Sequence, residues 1–269
     1  MQLSDDDVAR VADAIRTAEA ATIAPRFGAL AAGDIAEKTP GDVVTIADHE
    51  CEALLVDALR TIDDVPVVGE EGVAADHAVL GHLRSGDCWL VDPLDGTKNF
   101  AKGWTGYAVM VARVVEGRSV ASWIWIPHRD QMAIARADAG AVINDAPIRM
   151  APGDPDPATW SAVIRTRYVP EADRPPVERF RDGVGTPVGG VGCAGIEYVD
   201  LVTGAVDLLF YWRTHPWDHA PGSLLAVEAG AGALRPDGSD YRPDDDRRGL
   251  LVSATADEAA RRFRAALAG

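Results

Sequence analysis

Ser4 followed by Asp5, Asp6 and Asp7 reads as a helix start, with an N-cap and negative charge in the first turn. Val8, Val11, Ala12, Ile15 and Ala18 then recur at helical spacing, and Pro25 should end or kink that helix. The polar run 33–42 contains Pro40-Gly41 and predicts a turn or mobile loop. A second helix is predicted over about residues 47–59, with Leu54, Leu55, Ala58 and Leu59 on its apolar side. Strand patterns follow at 65–68, stopping at Gly69, and at 89–91, stopping at Asp92-Pro93. Runs 107–115 and 119–126 flank Glu116-Gly117-Arg118 as a hairpin, and 132–135 with 141–143 suggest another pair. Helices followed by antiparallel strands make this half α+β. The Pro- and Asp-rich stretch 151–157 is the expected boundary between an N-terminal subdomain, 1–150, and a C-terminal one, 151–269. Beyond it, strands at 162–165, 206–211 and 250–253 alternate with helices at about 195–203, 218–229 and 256–267, an α/β pattern.

Charge narrows the classes of partner. The 269 residues carry 42 Asp and Glu against 26 Lys and Arg, a formal charge of −16. That balance argues against a nucleic-acid backbone, which attracts positive charge, and against an anionic membrane surface. No apolar run approaches the ~18 residues of a spanning helix. The acidic N-terminus does not resemble a secretion signal, so a cytoplasmic location is expected. Cys51, Cys88 and Cys193 suit neither a disulfide framework nor a zinc site. The acidic excess is either a solvated surface or, in part, a set of carboxylates converging on cations.

Two motifs fail on context. Gly190-Val-Gly192-Cys-Ala-Gly195 spells a dinucleotide fingerprint, but glycines stand where its buried strand belongs. His49-Glu50 begins a zinc-protease motif whose second histidine position is Ala53. The informative stretch is Trp89-Leu-Val-Asp92-Pro-Leu-Asp95-Gly96-Thr97. An apolar strand delivers Asp92 to its end, and Pro93 turns the chain so that Asp95 presents a second carboxylate. Gly96 and Thr97 can then open a helical turn whose free N–H groups bind an anion. Glu70-Glu71 follows a strand of its own, and Trp217-Asp218 opens a helix. Three acidic sites placed together would repel without a cation.

These residues, in this order, resemble the inositol monophosphatase family, as does Lys38-Thr-Pro-Gly-Asp42-Val-Val-Thr45-Ile-Ala-Asp48. The similarity runs from about Lys38 to Leu250. It implies a lithium-sensitive, magnesium-dependent phosphomonoesterase with layers of helices and sheets (α-β-α-β-α), as a homodimer. By the resemblance, Glu70, Asp92 and the Leu94 carbonyl would hold a first metal, and Asp92, Asp95 and Asp218 a second, with two or three magnesium ions in all. Glu70, Thr97 and Asp48 would form the catalytic set, the last two orienting or activating the attacking water. Gly96 and Thr97 N–H groups would hold the phosphate, with Lys38 on a mobile loop closing over it. Gly192, Cys193 and Ala194 resemble the family's substrate-contacting segment.

One position departs from the pattern. Where the family has an acid that accepts inositol hydroxyls, four residues before His215, this chain has Tyr211, with Arg213 close by. Either the two bind a second phosphate, a carboxylate or an aromatic ring, or they face the core or a dimer interface. The expected substrate is a small polyol or sugar phosphate, inositol 1-phosphate foremost. Histidinol phosphate, fructose 1,6-bisphosphate and a 3′-phosphorylated nucleotide are the alternatives within the superfamily. A non-catalytic, metal-binding regulatory protein acting through protein contacts is the alternative of another class.

Overall fold

The computed structural model describes residues 3–39 and 42–268. α1 (Asp5–Thr22) starts on a capping box in which the Ser4 side chain accepts from Asp7 N–H and the Asp7 carboxylate accepts from Ser4 N–H. In place of the loop that the run 33–42 predicts there is an antiparallel pair, β1 (Ile35–Thr39) with β2 (Asp42–Thr45). Pro40 and Gly41 lie outside the described residues. The polar side chains of β1 hide this strand from a hydrophobic-period reading. Lys38 finds its partners by charge across space rather than by burial in a strand face. α2 (Ile46–Ile62) follows at once, capped by Thr45.

The next stretch builds the larger sheet. β3 (Val67–Gly69) leads into α3 (Glu70–Ala75) and α4 (Gly81–Ser85), and β4 (Cys88–Asp95) into the short α5 (Thr97–Ala101). β5 (Ala108–Val115), β6 (Arg118–Ile126), β7 (Gln131–Arg136), β8 (Gly140–Ile143) and β9 (Ala146–Ile148) then meander. The seven strands stand in sequence order, with β3 and β4 parallel and every other pair antiparallel. β4 does not stop at Asp92-Pro93 as the sequence suggests. It continues to Asp95 through a bulge, because Asp92 pairs with Met110 and Asp95 with Ala108, three steps against two. A bulge is one of the few places where a strand tolerates proline.

The second sheet comes from β10 (Ser161–Arg165), α6 (Arg174–Asp182), β11 (Thr186–Pro187), α7 (Ala194–Val202), β12 (Leu208–Tyr211), α8 (Pro216–Glu228), β13 (Gly232–Leu234), β14 (Leu250–Ser253) and α9 (Ala256–Ala268). Its order is β11-β10-β12-β14-β13, with β10 parallel to both neighbours and β14 antiparallel to both of its own. α6 escapes sequence prediction because Val177 and Phe180 are the residues it buries and the rest of Arg-Pro-Pro-Val-Glu-Arg-Phe-Arg-Asp is polar or proline.

Strand alternation settles the layering. On one face of the larger sheet, Val109, Val111 and Trp123 pack with Ile15, Cys51 and Leu55 of α1 and α2. On the other, Ala108, Met110 and Ile124 pack with Ile196, Val199 and Leu225 of α7 and α8, and these helices also cover Leu209 and Val252 of the second sheet. The far side of that sheet, Leu208, Phe210 and Leu251, meets Phe180 of α6 and Phe263 of α9. The order is α-β-α-β-α. No helix among the described residues is long and apolar enough to cross a membrane.

Candidate active site

The bulge in β4 is the first structural cause of the site. It leaves Asp92 buried at 2% exposure, lets its Oδ1 accept from Leu94 N–H at 3.0 Å, and swings Asp95 away toward α7. Gly96 takes φ +89°, which favours glycine, and α5 begins at Thr97 with no side chain capping it. β3, parallel to β4, ends beside it and places Glu70 at the start of α3. α8 brings Asp218 in its first turn.

Glu70, Asp92 and Asp218 thereby offer carboxylate oxygens that all lie within 4.8 Å of one another. Each pair of full charges at that spacing repels by roughly 3–4 kcal/mol at an effective dielectric of about 20. Burial, then the charges of Glu70, Asp95 and Asp218, push the Asp92 carboxyl well above the usual range. Burial, then Glu70 and Asp95, do the same to Asp218. Carboxylates gathered this closely need protons or a cation among them. An all-oxygen donor set of this kind suits a hard divalent ion such as magnesium.

Around the trio stand groups that steady it. Lys38 Nζ donates to Glu70 Oε1 at 2.7 Å and Glu71 Oε1 at 2.8 Å. Burial lowers the affinity of Lys38 for its proton, but the two glutamates outweigh that and hold it above the usual lysine range. Glu52 of α2 accepts from Glu71 N–H at 2.8 Å and Gly72 N–H at 2.7 Å, fixing the start of α3. Burial, against those two hydrogen bonds, raises Glu52 to about 7.

The Thr97 hydroxyl lies 3.0 Å from Asp48 Oδ1 and 2.8 Å from the Leu94 carbonyl oxygen, both as acceptors. Asp48 Oδ2 accepts from Thr45 N–H and Oγ1–H at 2.8 and 2.6 Å. Burial raises Asp48 to about 7 despite those bonds. Asp95 Oδ2 accepts from Gly195 N–H at 2.7 Å and Cys193 Sγ–H at 3.1 Å. Burial nevertheless raises it to about 7, with Glu197 and Glu70 adding to the rise. The structure therefore brings Cys193 and Gly195 against Asp95 at the entry to α7, with Gly192 nearby donating to Glu197.

Tyr211 goes elsewhere. It is buried, stacks on Tyr198 with ring centroids 5.9 Å apart, and donates its hydroxyl to Glu197 Oε2 at 2.7 Å. As the last residue of β12 it alternates with Phe210 and takes the face that α7 and α8 cover, the core position among the two expected for it. Arg213 lies beyond the strand end, with its guanidinium 3.9 Å from the Tyr168 ring centroid. Its carbonyl accepts from His219 Nε2 at 3.2 Å, which leaves Nδ1 to accept from the Tyr198 hydroxyl. Burial first, then the nearby His215, lowers His219 to about 3, so the ring is neutral.

A profile of the inositol monophosphatase family matches residues 5–268. The chain belongs to the inositol monophosphatase family. Among curated relatives, the chloroplastic phosphatase IMPL1 of Arabidopsis thaliana is 30% identical over 232 residues, 82% of this chain and 60% of that protein's length. Nus factor SuhB of Vibrio cholerae is 30% identical over 205 residues, 72% of each chain. The solved inositol monophosphatase of Thermotoga maritima shares the fold at a TM-score of 0.76 with 22% identity, covering 95% of this chain and 96% of that one.

Within this inositol monophosphatase fold, sequence reasoning overlooks Glu52, Asn99 and Glu197. Asn99 Nδ2 donates to Gly106 O at 2.7 Å and Val191 O at 2.9 Å, tying α5 to the loop before α7. Glu197 joins Gly192 N–H at 3.2 Å, the Tyr211 hydroxyl and Arg165. Asn99 follows Thr97 closely enough to be suspected. The other two carry no local signal.

Proposed function

We propose that this protein is a magnesium-dependent hydrolase of a small phosphate monoester, most simply a polyol or sugar phosphate such as inositol 1-phosphate. The observation that carries the reading is the convergence of Glu70, Asp92 and Asp218 beside the hydrogen-bonded pair Thr97 and Asp48. Glu70, Asp92 and the Leu94 carbonyl would hold one ion, and Asp92, Asp95 and Asp218 another. Magnesium bound there supplies charge neutralisation of the ester and a lower pKa for the attacking water.

The chain's own groups do the rest. Gly96 and Thr97 N–H groups at the start of α5 would hold the phosphate so that water approaches in line with the leaving oxygen. The Thr97 hydroxyl orients that water, and its proton passes toward Asp48, whose other oxygen is already fixed by Thr45. The new P–O bond forms from water, the ester P–O bond breaks, and the leaving alkoxide takes up a proton. Most of the proposed metal ligands come from residues 1–150, and residues 151–269 complete the site with Asp218 and the loop at Gly192.

The test is phosphate release from a panel of monoesters with and without magnesium. Asp95→Asn is expected to cut kcat at least about 100-fold while the protein stays folded. Inversion of configuration at phosphorus supports direct attack by water, and a trapped phosphoenzyme overturns it. The similarity to a Nus factor favours a second reading, a metal-binding regulatory protein acting through protein contacts. A folded, magnesium-binding protein that turns over no monoester would select it.

A further inference from the structure

β10 and β12 run parallel with Arg165 opposite Tyr211, so the loops leaving them start from one sheet edge. In open sheets the region beyond the carboxyl ends of parallel strands is where ligands are taken. Here the β12 loop runs directly into α8 and Asp218. The β10 loop carries Arg167 and Tyr168, and the β12 loop carries Arg213. Arg213 Cζ lies 3.9 Å from the Tyr168 ring centroid and Arg167 Cζ 5.4 Å from it, and Tyr168 is 44% exposed.

Most arginines of this acidic chain that approach a carboxylate are spent on it. Arg165, next to this cluster, is one, committed to Glu197. Neither Arg167 nor Arg213 lies within ion-pair distance of a carboxylate among the described residues, though the Arg213 charge reaches Asp218 across space. A guanidinium resting on an aromatic ring keeps its planar N–H edges for an anion, which it grips in bidentate fashion. The backbone holds the spacing to the carboxylate trio, because the Arg213 carbonyl accepts from His219, the neighbour of Asp218.

We infer that Arg213 and Arg167, braced on Tyr168, form a subsite for a second anionic group on the substrate. The substrate class is then a phosphate monoester with a second phosphate or a carboxylate at its far end. This rests on the phosphatase reading above and narrows it. A second anion entering among Asp95, Glu197 and Asp218 would be repelled unless cations met it.

The experiment measures magnesium-dependent phosphate release on two matched pairs. Fructose 1-phosphate against fructose 1,6-bisphosphate tests a second phosphate, and glycerol 3-phosphate against 3-phosphoglycerate tests a carboxylate. The member with two anionic groups in at least one pair is expected to show about tenfold higher kcat/KM. That ratio should fall by about tenfold in Arg213→Gln and in Arg167→Gln, with melting temperatures showing both variants folded. Equal kcat/KM within each pair, or a ratio that neither substitution alters, overturns the subsite and leaves the phosphatase reading standing. The same compounds are also titrated calorimetrically into the magnesium-loaded protein. No turnover, with tighter Arg213-dependent binding of a member with two anionic groups, removes the phosphatase reading and keeps the subsite. No turnover and no charge preference in binding removes both.

Discussion

Thr97 illustrates how much one side chain can carry. Its hydroxyl lies within hydrogen-bond reach of both Asp48 and the Leu94 carbonyl, so a single proton is shared between a buried carboxylate and the backbone of the β4 bulge. Thr97→Val keeps the shape and removes that proton. We expect kcat to drop by about 100-fold or more with little change in KM, and Thr97→Ser to restore part of it. Steady-state kinetics on any accepted monoester decides the matter, and a loss confined to KM would count against the role. Asp92, Asp95, Thr97, Glu70 and Asp218 were all legible in sequence, because each sits where an apolar strand or a helix start meets a turn. Glu52 was not, since its partners Glu71 and Gly72 lie 19 and 20 positions away and nothing in its own helix marks it.

At the scale of elements, the chain ties the site together through helices that contribute no metal ligand. α7 presents Glu197 to the end of β10 through Arg165, to the end of β12 through Tyr211, and to its own entry loop through Gly192 N–H. Glu197→Ala strands the buried Tyr211 hydroxyl and frees Arg165, which is 33% exposed and regains some hydration. The expected destabilisation is about 2 kcal/mol, read as a lower midpoint in urea, together with reduced kcat/KM as the Gly192 loop loosens. An unchanged midpoint would show that the three elements hold one another without it. Tyr211 belongs here too. Strand alternation gives it a side but cannot say which helix layer covers that side. The pairing of β1 with β2 was invisible for a related reason, because it is made by backbone, and Lys38 of β1 pairs with Glu70 and Glu71 rather than joining an apolar face.

For the whole molecule, the concentration of carboxylates couples stability to pH and metal. Asp48, Asp95 and Glu52 are raised by burial from 3.8, 3.8 and 4.5 to about 7, so the folded state binds protons more tightly than the unfolded chain. Their contribution is therefore complete below the unfolded values and is lost as pH climbs through about 7. Without metal, the melting temperature should fall between about pH 5 and about pH 8. Magnesium competes with those protons, so its stabilisation should widen over the same interval, reaching about 2.7 kcal/mol at a hundred times its Kd. Thermal melts in chelator and in magnesium across that range test this. A gap that stays constant with pH would sink it.

Most of the helices and strands, the turn that follows Asp92 at Pro93 and the acidic excess were determined locally, since periodicity, capping and turn chemistry act between near neighbours. Which carboxylates meet, which arginines are left to face a ligand, and whether Tyr211 looks into a pocket or into the core were decided by packing. Periodicity says that a face is buried, but only the layered arrangement of two sheets and three helix layers says against what.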